Sequence, residues 1–311
     1  MLCVYGTEHF YKLQGENKLT INRIERKYVP FAYAFLIPTI AVFLLFYLIP
    51  IVTVVFTSFT RWDGFNTPVF NGLTNYLRFF SQSSFLISLR NLLLWSLIAA
   101  TLHVGFGVLV AFILFQKPKG WKAVRGVYMI PNIVSSAAMA MIFRFMFNND
   151  FGFLNSMIRL VSPSFQVNWF FESPWAFIAI TLTWLFYGAI ITLIVLGDLM
   201  SIPSDLHDAA RIDGATGFQA VLHIQLPLCR YAIGTSIILS ITSRIAMYEA
   251  IALTTRGGPG DDTMNIPIIL VKAITDFNYG LANAAAVFMF LMGIFTLWIV
   301  NRLFRMNNPI Y

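Results

Sequence analysis

The stretch SIPSDLHDAARIDGATG, residues 201–217, is too ordered to be a simple loop. It reads as two short helices joined by a turn. Pro203 suits a first helical position, where its missing N–H costs nothing, and Ser201 or Ser204 can cap it. Asp205 and Asp208 fall in the first turns, where the helix dipole favours anions. Leu206, Ala209, Ala210 and Ile212 supply a small apolar surface. Gly214 and Gly217 permit a tight turn. A second helix over 218–227 meets Pro227, which ends or kinks it. The expected product is a compact polar knob.

On both sides of this knob the chain turns apolar. Charge-free runs occupy 28–60, 91–116, 126–143, 173–197, 231–243 and 277–301. The fifth must continue through Arg244 to reach the roughly 20 residues that a bilayer requires. Composition agrees. Hydrophobic residues make up 58% and charged residues 11%, and the mean hydropathy is +0.72. A soluble domain carries about 25% charged residues. So few charges cannot cover a water-facing surface. A soluble fold, a disordered chain and a disulfide-stapled secreted module are all excluded. The expected fold class is an all-α integral membrane protein with six transmembrane helices. It comprises a segment 1–28, a membrane domain 29–306 with the polar loop at 198–230, and a tail 307–311.

Basic residues orient the chain. Lys12, Lys18, Arg23, Arg26 and Lys27 precede the first run, and Lys117, Lys119, Lys122 and Arg125 separate the second from the third. Arg211, Arg230, Arg302 and Arg305 fall on the same side. Arg61, Arg78, Arg90, Arg144, Arg159, Arg256 and Lys272 fall on the other. The bias predicts that both termini are cytoplasmic. It also accounts for the net charge of +7 without a nucleic-acid partner, since no basic run carries interleaved aromatics. Trp62, Phe65, Tyr76, Phe79 and Phe80 crowd the outer segment 61–90, and Trp169, Phe170 and Phe171 the segment 148–173. Both suit interfacial helices at headgroup level, in contact with membrane lipid. Cys3 and Cys229 fit no metal-ligand spacing, and no cleaved signal peptide is expected after the polar first 28 residues.

Asp208, Ala209 and Ala210, followed by Gly214, Ile224, Leu226 and Pro227, resemble the EAA signature of ABC importer permeases. In that family a Glu-Ala-Ala triplet is followed by Gly and then by Ile-x-Leu-Pro. Asp208 stands where Glu is usual, keeping the charge with a shorter reach. The resemblance runs over most of the chain. Ile37 with Pro38 and YLIP at 47–50 are similar to the first-span pattern of sugar-type permeases. Ser58, Phe59 and Thr60, with GLTNY at 72–76, resemble their first outer loop. TRGGP at 255–259 resembles the loop after span five, and Tyr279, Gly280 and Ala282 the entry to span six. The likeness is to maltose-transporter-type permeases of the larger-saccharide uptake class, on the subunit with the Gly-Gly-Pro loop. Glycerol-3-phosphate permeases share these features.

The resemblance implies a type I ABC importer permease, with six spans and a cytoplasmic coupling helix, in a bacterial or archaeal cytoplasmic membrane. No G-x-x-x-x-G-K-[ST] loop is present, so the chain is expected to be no enzyme and to hold no cofactor. ATP and Mg would sit on a separate ATPase dimer. Asp205, Asp208, Ala209, Ala210, Asp213 and Gly214 would form the ATPase-coupling site. A second permease, making a heterodimer, would complete the pore. A solute-binding protein would dock at Gly257, Gly258 and Pro259 and deliver a carbohydrate.

Polar residues inside a membrane are costly and therefore functional candidates. Ser236, Ser240, Ser243, Arg244 and Met247 share one face of a helix through span five. They could hydrogen-bond sugar hydroxyls, while Trp184 and Tyr187 of span four could stack on a sugar ring. Asn132 and Ser136, four apart in span three, could line the same cavity. Helix–helix hydrogen bonding is the alternative use of these side chains. His103 reads as a buried hydrogen-bonding residue. A glycerol-3-phosphate or other non-sugar permease stays open. A secondary transporter would need coupling carboxylates and an internal repeat, and Glu249 is the one acid near a span. An intramembrane enzyme would need a metal cluster or a nucleophile–base pair, and the sequence offers neither.

Overall fold

The computed structural model describes residue 31 and residues 33–304. The segment 1–28 with its basic residues, the tail 307–311 and Arg305 lie outside the described residues. The chain divides into two units, 1–56 and 57–311. In the first, helix α1 (Tyr33–Thr57) is apolar all round, and its side chains from 33 to 53 are exposed, as a lipid-facing helix requires.

The second unit opens with a short antiparallel pair, β1 (Thr60–Arg61) and β2 (Val69–Phe70), with Thr60 opposite Phe70. Helix α2 (Thr74–Ser81) leads into α3 (Ser83–Phe115), which runs unbroken for 33 residues. It starts ahead of the charge-free run, because Arg90 stays exposed and turns its guanidinium to Asn91 Oδ1 at 3.3 Å. Then come α4 (Trp121–Ile133), α5 (Ser136–Met146) and α6 (Phe153–Arg159). The pair α7 (Trp175–Leu185) and α8 (Ala189–Ser201) precedes α9 (Ser204–Ile212) and α10 (Gly217–Leu228). The unit closes with α11 (Arg230–Ile245), α12 (Glu249–Ala252), α13 (Ile266–Thr275) and α14 (Tyr279–Phe304).

Among the described residues α1, α3 and α14 are each long and apolar enough to cross a membrane. Three further apolar stretches are bent pairs of helices rather than single straight ones. Helices α4 and α5 meet at 102°, α7 and α8 at 40°, and the pair from Gly217 to Ala252 at 67°. The third run breaks at Val134 and Ser135. Pro131 withholds an N–H there, and Ser135 caps the new helix by accepting from Ala138 N at 3.3 Å. The fourth breaks at Phe186 to Gly188. The fifth continues through Arg244, as expected, and α11 ends at Ile245.

Close packing holds the pieces. Thr192 Oγ1 of α8 donates to Gly107 O of α3 at 2.8 Å, and a Cβ on Gly107 would lie 2.7 Å from Ile191 Cγ2. Around this crossing Val104, Leu114, Val195, Leu199 and Cys229 are buried together. A second cluster gathers Trp95, Phe147, Trp169, Phe170, Ile180 and Trp184. Trp169 and Phe170 were expected at a lipid interface and are instead packed inside. The reason is polar satisfaction: Trp169 Nε1 donates to Asn155 Oδ1 at 2.8 Å, and Asn155 Nδ2 donates in turn to Asn149 O and Val167 O. Phe79 is likewise buried, against Phe85 and Phe288, whereas Phe65, Phe80 and Phe171 are exposed.

The motif residues of the first outer loop and of the entry to α14 come together in space. Asn75 Nδ2 donates to Ser58 O and Thr60 O, both at 2.8 Å. Ser58 Oγ and Tyr76 OH lie 2.7 Å apart, and Asn283 Nδ2 donates to Thr57 Oγ1 at 2.7 Å. Gly280 presses against this knot: a Cβ there would lie 2.1 Å from Thr60 O. The turn of the β1–β2 pair is closed by Asp63, whose carboxylate accepts from Asn66 N and Phe65 N; these bonds hold its carboxyl below the usual carboxylate range. The loop 255–264 is built the same way. Thr263 Oγ1 donates to Gly258 O at 2.7 Å and faces Thr255 Oγ1 at 2.7 Å. The buried Asn91 of α3 donates to Asp262 O and Met264 O, both at 2.9 Å.

Gly280→Ala should cost about 1–3 kcal/mol through overpacking against an immovable carbonyl, lowering the thermal midpoint of the detergent-solubilised protein. Gly293→Ala on the same helix, where a Cβ meets open space, is the matched control. Asn91→Leu leaves two carbonyls unpaired and should cost about 2–3 kcal/mol. Hydrogen exchange at residues 256–264 should accelerate while α14 stays protected, and unchanged protection of that loop would contradict the clamp.

Candidate functional site

Two adjoining cavities lie where the broken helices meet. One, of about 270 Å³, is bordered by Ser136, Met139 and Phe143 of α5, Thr183 and Trp184 of α7, Tyr187, Ser243, Arg244, Met247 and Glu249. The other, of about 180 Å³, is bordered by His103, Asn132, Trp184, Tyr187, Gly188, Ser240, Ser243 and Arg244. Trp184, Tyr187, Ser243 and Arg244 belong to both.

The breaks between α4 and α5 and between α7 and α8, and the turn after α11, each contribute a wall. A helix that stops leaves carbonyls without partners, and at membrane depth these must be satisfied from elsewhere. His103, at the end of the π-turn Ala99–His103 within α3, donates from Nδ1 to Leu185 O at 3.0 Å. The tautomer follows, since a carbonyl can only accept. The imidazole meets the Trp184 ring edge-on at 5.6 Å, and the Arg244 guanidinium lies over that indole at 4.2 Å. A guanidinium, an indole and an imidazole thus stack in series, anchored on the broken end of α7. The turn after α11 is held by Asn265 Nδ2 donating to Met247 O, while Asn265 Oδ1 caps α13 by accepting from Ile268 N.

The structure brings Asn132, Ser136, Trp184, Tyr187, Ser240, Ser243, Arg244 and Met247 to the cavities. It does so differently from the helix-face argument. Asn132 and Ser136 sit on two helices across the 102° bend, not on one stripe. Met247 lies beyond the end of α11. Ser236 borders neither cavity: it is fully buried and donates to Ala232 O at 2.8 Å, because packing against neighbouring helices covers that level of α11. Ser240 donates to Ala99 O at 3.3 Å, a helix–helix bond, and Ser243 to Leu239 O at 2.6 Å. Glu249, the one acid expected near a span, reaches the larger cavity. The chain turns at 246–248, so the spacing rule of a continuous helix does not apply. Proline and glycine at 131 and 188 were the available signals for the breaks.

At the opposite end, α9 and α10 form the knob. Pro203 stands at the N-cap of α9 rather than inside it, and neither Ser201 nor Ser204 caps through its side chain: Ser201 Oγ donates to Asp198 O. Asp208 pairs with Arg211 at 3.6 Å on an open surface. Asp205, Ala209 and Asp213 are exposed and Ala210 is buried. Gly214 takes φ +76°, the left-handed turn expected of it. Thr216 and Gln219 cap α10 reciprocally, a capping box that the motif reading passed over. A cavity of about 870 Å³ separates the knob from the end of α3, lined by Phe112, Phe115, His207, Phe218 and Val221 among others.

In the loop 255–264, Gly257 is buried, with φ +94°, behind Met264. It does not reach the surface where a binding-protein contact was expected, because the Thr255–Thr263 pair folds the loop over it. Gly258 and Pro259 are half-buried, and Arg256 and Gly260 are exposed.

Comparison with known proteins places this architecture. The chain is 29% identical over 279 residues to the trehalose/maltose transport system permease protein MalF of Thermococcus litoralis, covering 89% of this chain and 94% of that one. It is 30% identical over 293 residues to the probable ABC transporter permease protein YesP of Bacillus subtilis, covering 91% and 93%. Its fold is that of a chain in the crystal structure of a bacterial alginate ABC transporter in complex with an alginate pentasaccharide-bound periplasmic protein. There the TM-score is 0.75 at 20% identity, covering 90% and 95%. Residues 103–308 match the model of the binding-protein-dependent transport system inner membrane component. The chain therefore belongs to the family of inner-membrane permease components of binding-protein-dependent ABC transport systems.

Proposed function

We propose that this chain forms half of the translocation pore of an ATP-binding-cassette importer for carbohydrate. The cavity at the helix breaks carries the reading. It offers an indole, a phenol, a guanidinium, a carboxylate and an amide around a small polar space, which suits the apolar faces and dense hydroxyls of a sugar. The likeness to a permease named for trehalose and maltose supports the same class.

In this reading α4 with α5, α7 with α8, and α11 with α12 each make one span, giving six with α1, α3 and α14. Both termini and the basic segment 117–125 face the cytosol of a bacterial or archaeal cell. Helix α9 is the coupling helix. The exposed Leu206, Ile212 and Phe218 fill a groove on an ATPase subunit, with Asp205, Asp208 and Asp213 meeting basic groups there. The ATPase dimer holds ATP and Mg, and its closure moves α9 as a rigid body. A second permease covers apolar side chains such as Ile133 and Val161, 83% and 89% exposed, and makes the heterodimeric pore. A solute-binding protein docks over Arg256 and Gly260 with the half-buried Gly258 and Pro259.

A mild-detergent pull-down of the tagged chain should recover a second permease and an ATPase. A chain that purifies alone and transports into vesicles without ATP would overturn the importer reading. Gly214→Val meets no steric obstacle but must hold a β-branched residue at φ +76°, at a local cost of about 1–2 kcal/mol. Insertion should be normal, ATP hydrolysis should continue, and uptake should fall about 5- to 30-fold. Normal coupled uptake would remove α9 from the coupling role.

A further inference from the structure

Arg244 has no carboxylate partner among the described residues, where the single ion pair joins Arg211 to Asp208. Its Nη1 reaches only Met247 Sδ at 3.8 Å, a weak acceptor, and its Nε has no partner. Trp184, 2% exposed, covers one face of the guanidinium, and its own Nε1 is also unpartnered. A cation at membrane depth is costly unless something pairs with it. The two cavities beside Arg244 differ in charge. The larger contains Glu249; the smaller contains no acid, so the guanidinium meets there only the uncharged Asn132 amide, the Tyr187 phenol, the Ser240 and Ser243 hydroxyls and the His103 imidazole. A neutral sugar would leave the guanidinium without a counter-charge in that cavity. An acceptor-only group with two oxygens matches it, as a guanidinium matches a carboxylate.

We propose that the conducted saccharide is acidic, its carboxylate held by Arg244 in the acid-free cavity and its ring hydroxyls turned toward Glu249. The inference rests on the carbohydrate reading, and the test separates the two. Binding is measured by calorimetry on the purified membrane complex of this chain with its second permease and ATPases, without the solute-binding protein, which selects ligand independently. The probes are digalacturonate, dimannuronate and diglucuronate, each beside its neutral dimethyl ester, together with maltose and cellobiose. At least one diuronate should bind about 10- to 100-fold more tightly than its ester. Arg244→Gln should erase that difference, and Arg244→Lys, which keeps the charge, should retain most of it. Equal binding of acid and ester, or a preference that survives Arg244→Gln, overturns the proposal. So does loss of the second permease from the Arg244→Gln complex but not from Arg244→Lys, which would assign the guanidinium to a carboxylate of that subunit. Binding of neutral saccharides alone overturns the charge assignment and leaves the carbohydrate reading standing. Binding of none of these saccharides overturns both.

Discussion

The hydrogen bond from His103 Nδ1 to the carbonyl of Leu185 lets a membrane helix stop in the middle of a bundle. A helix end inside hydrocarbon exposes carbonyls that neither water nor its own ladder can satisfy, at a cost of several kcal/mol each. With that carbonyl held, the chain can turn at Phe186 to Gly188 and present Tyr187 to a cavity. The same imidazole backs Trp184, which backs Arg244. One side chain therefore supports both the backbone irregularity and the stack that fills it. Gly107 and Gly188 make room for this arrangement by letting α3 and α8 approach closely.

The same economy recurs at the other end, with asparagine in place of histidine. Asn75, Asn91, Asn155 and Asn265 are all buried, and each donates its amide to main-chain carbonyls of irregular segments. A carboxamide suits this work because it carries two donors and no charge to desolvate. Loops that would otherwise need water are thereby fixed in an apolar protein. The capping of α13 by Asn265, which also holds the turn after Arg244, ties the loop end to the cavity.

Much of the fold was legible because the bilayer permits so few alternatives. Long charge-free runs bounded by basic residues locate the apolar helices: α14 sits within a few residues of its run, and α3 ends with its run but starts a full two turns ahead of it. The breaks were not legible, since apolar composition is the same for a straight helix and for two half-helices. Pro131 and Gly188 are compatible with either outcome, and what decides is tertiary: a capping hydroxyl at Ser135, a donor at His103. The site suffered from the same blindness in a specific way. Ser240, Ser243 and Arg244 lie on α11 and obey its periodicity, so they were placed together correctly. Met247 and Glu249 lie beyond its end, where periodicity carries no information. Ser236 obeys the periodicity too, yet packing against its neighbours covers it, and no count of residues reveals how deep a cavity extends. The motif residues Ser58, Thr60, Asn75 and Gly280 turn out to share one knot of backbone contacts. Their significance in the sequence was that of a structural joint.

Connectivity relates the knob to the cavity. Only Ile202 and Pro203 separate α8 from α9, and α10 passes into α11 at Cys229. Helix α8 has 13 residues and α11 has 16, so each is a rod of about 20 Å to 24 Å. The far end of α8 abuts Gly188 and Tyr187; the far end of α11 carries Ser243 and Arg244. In the proposed role, a displacement of α9 is delivered along these two rods to the same cavity. An unbroken span would spread such a displacement along its whole length. A span broken at the cavity would concentrate it there, at Tyr187 just ahead of α8 and at Arg244 on α11, beside Trp184 and its imidazole support. The helix breaks therefore shape the cavity and, in the proposed role, would also determine where a movement imposed from the knob is felt.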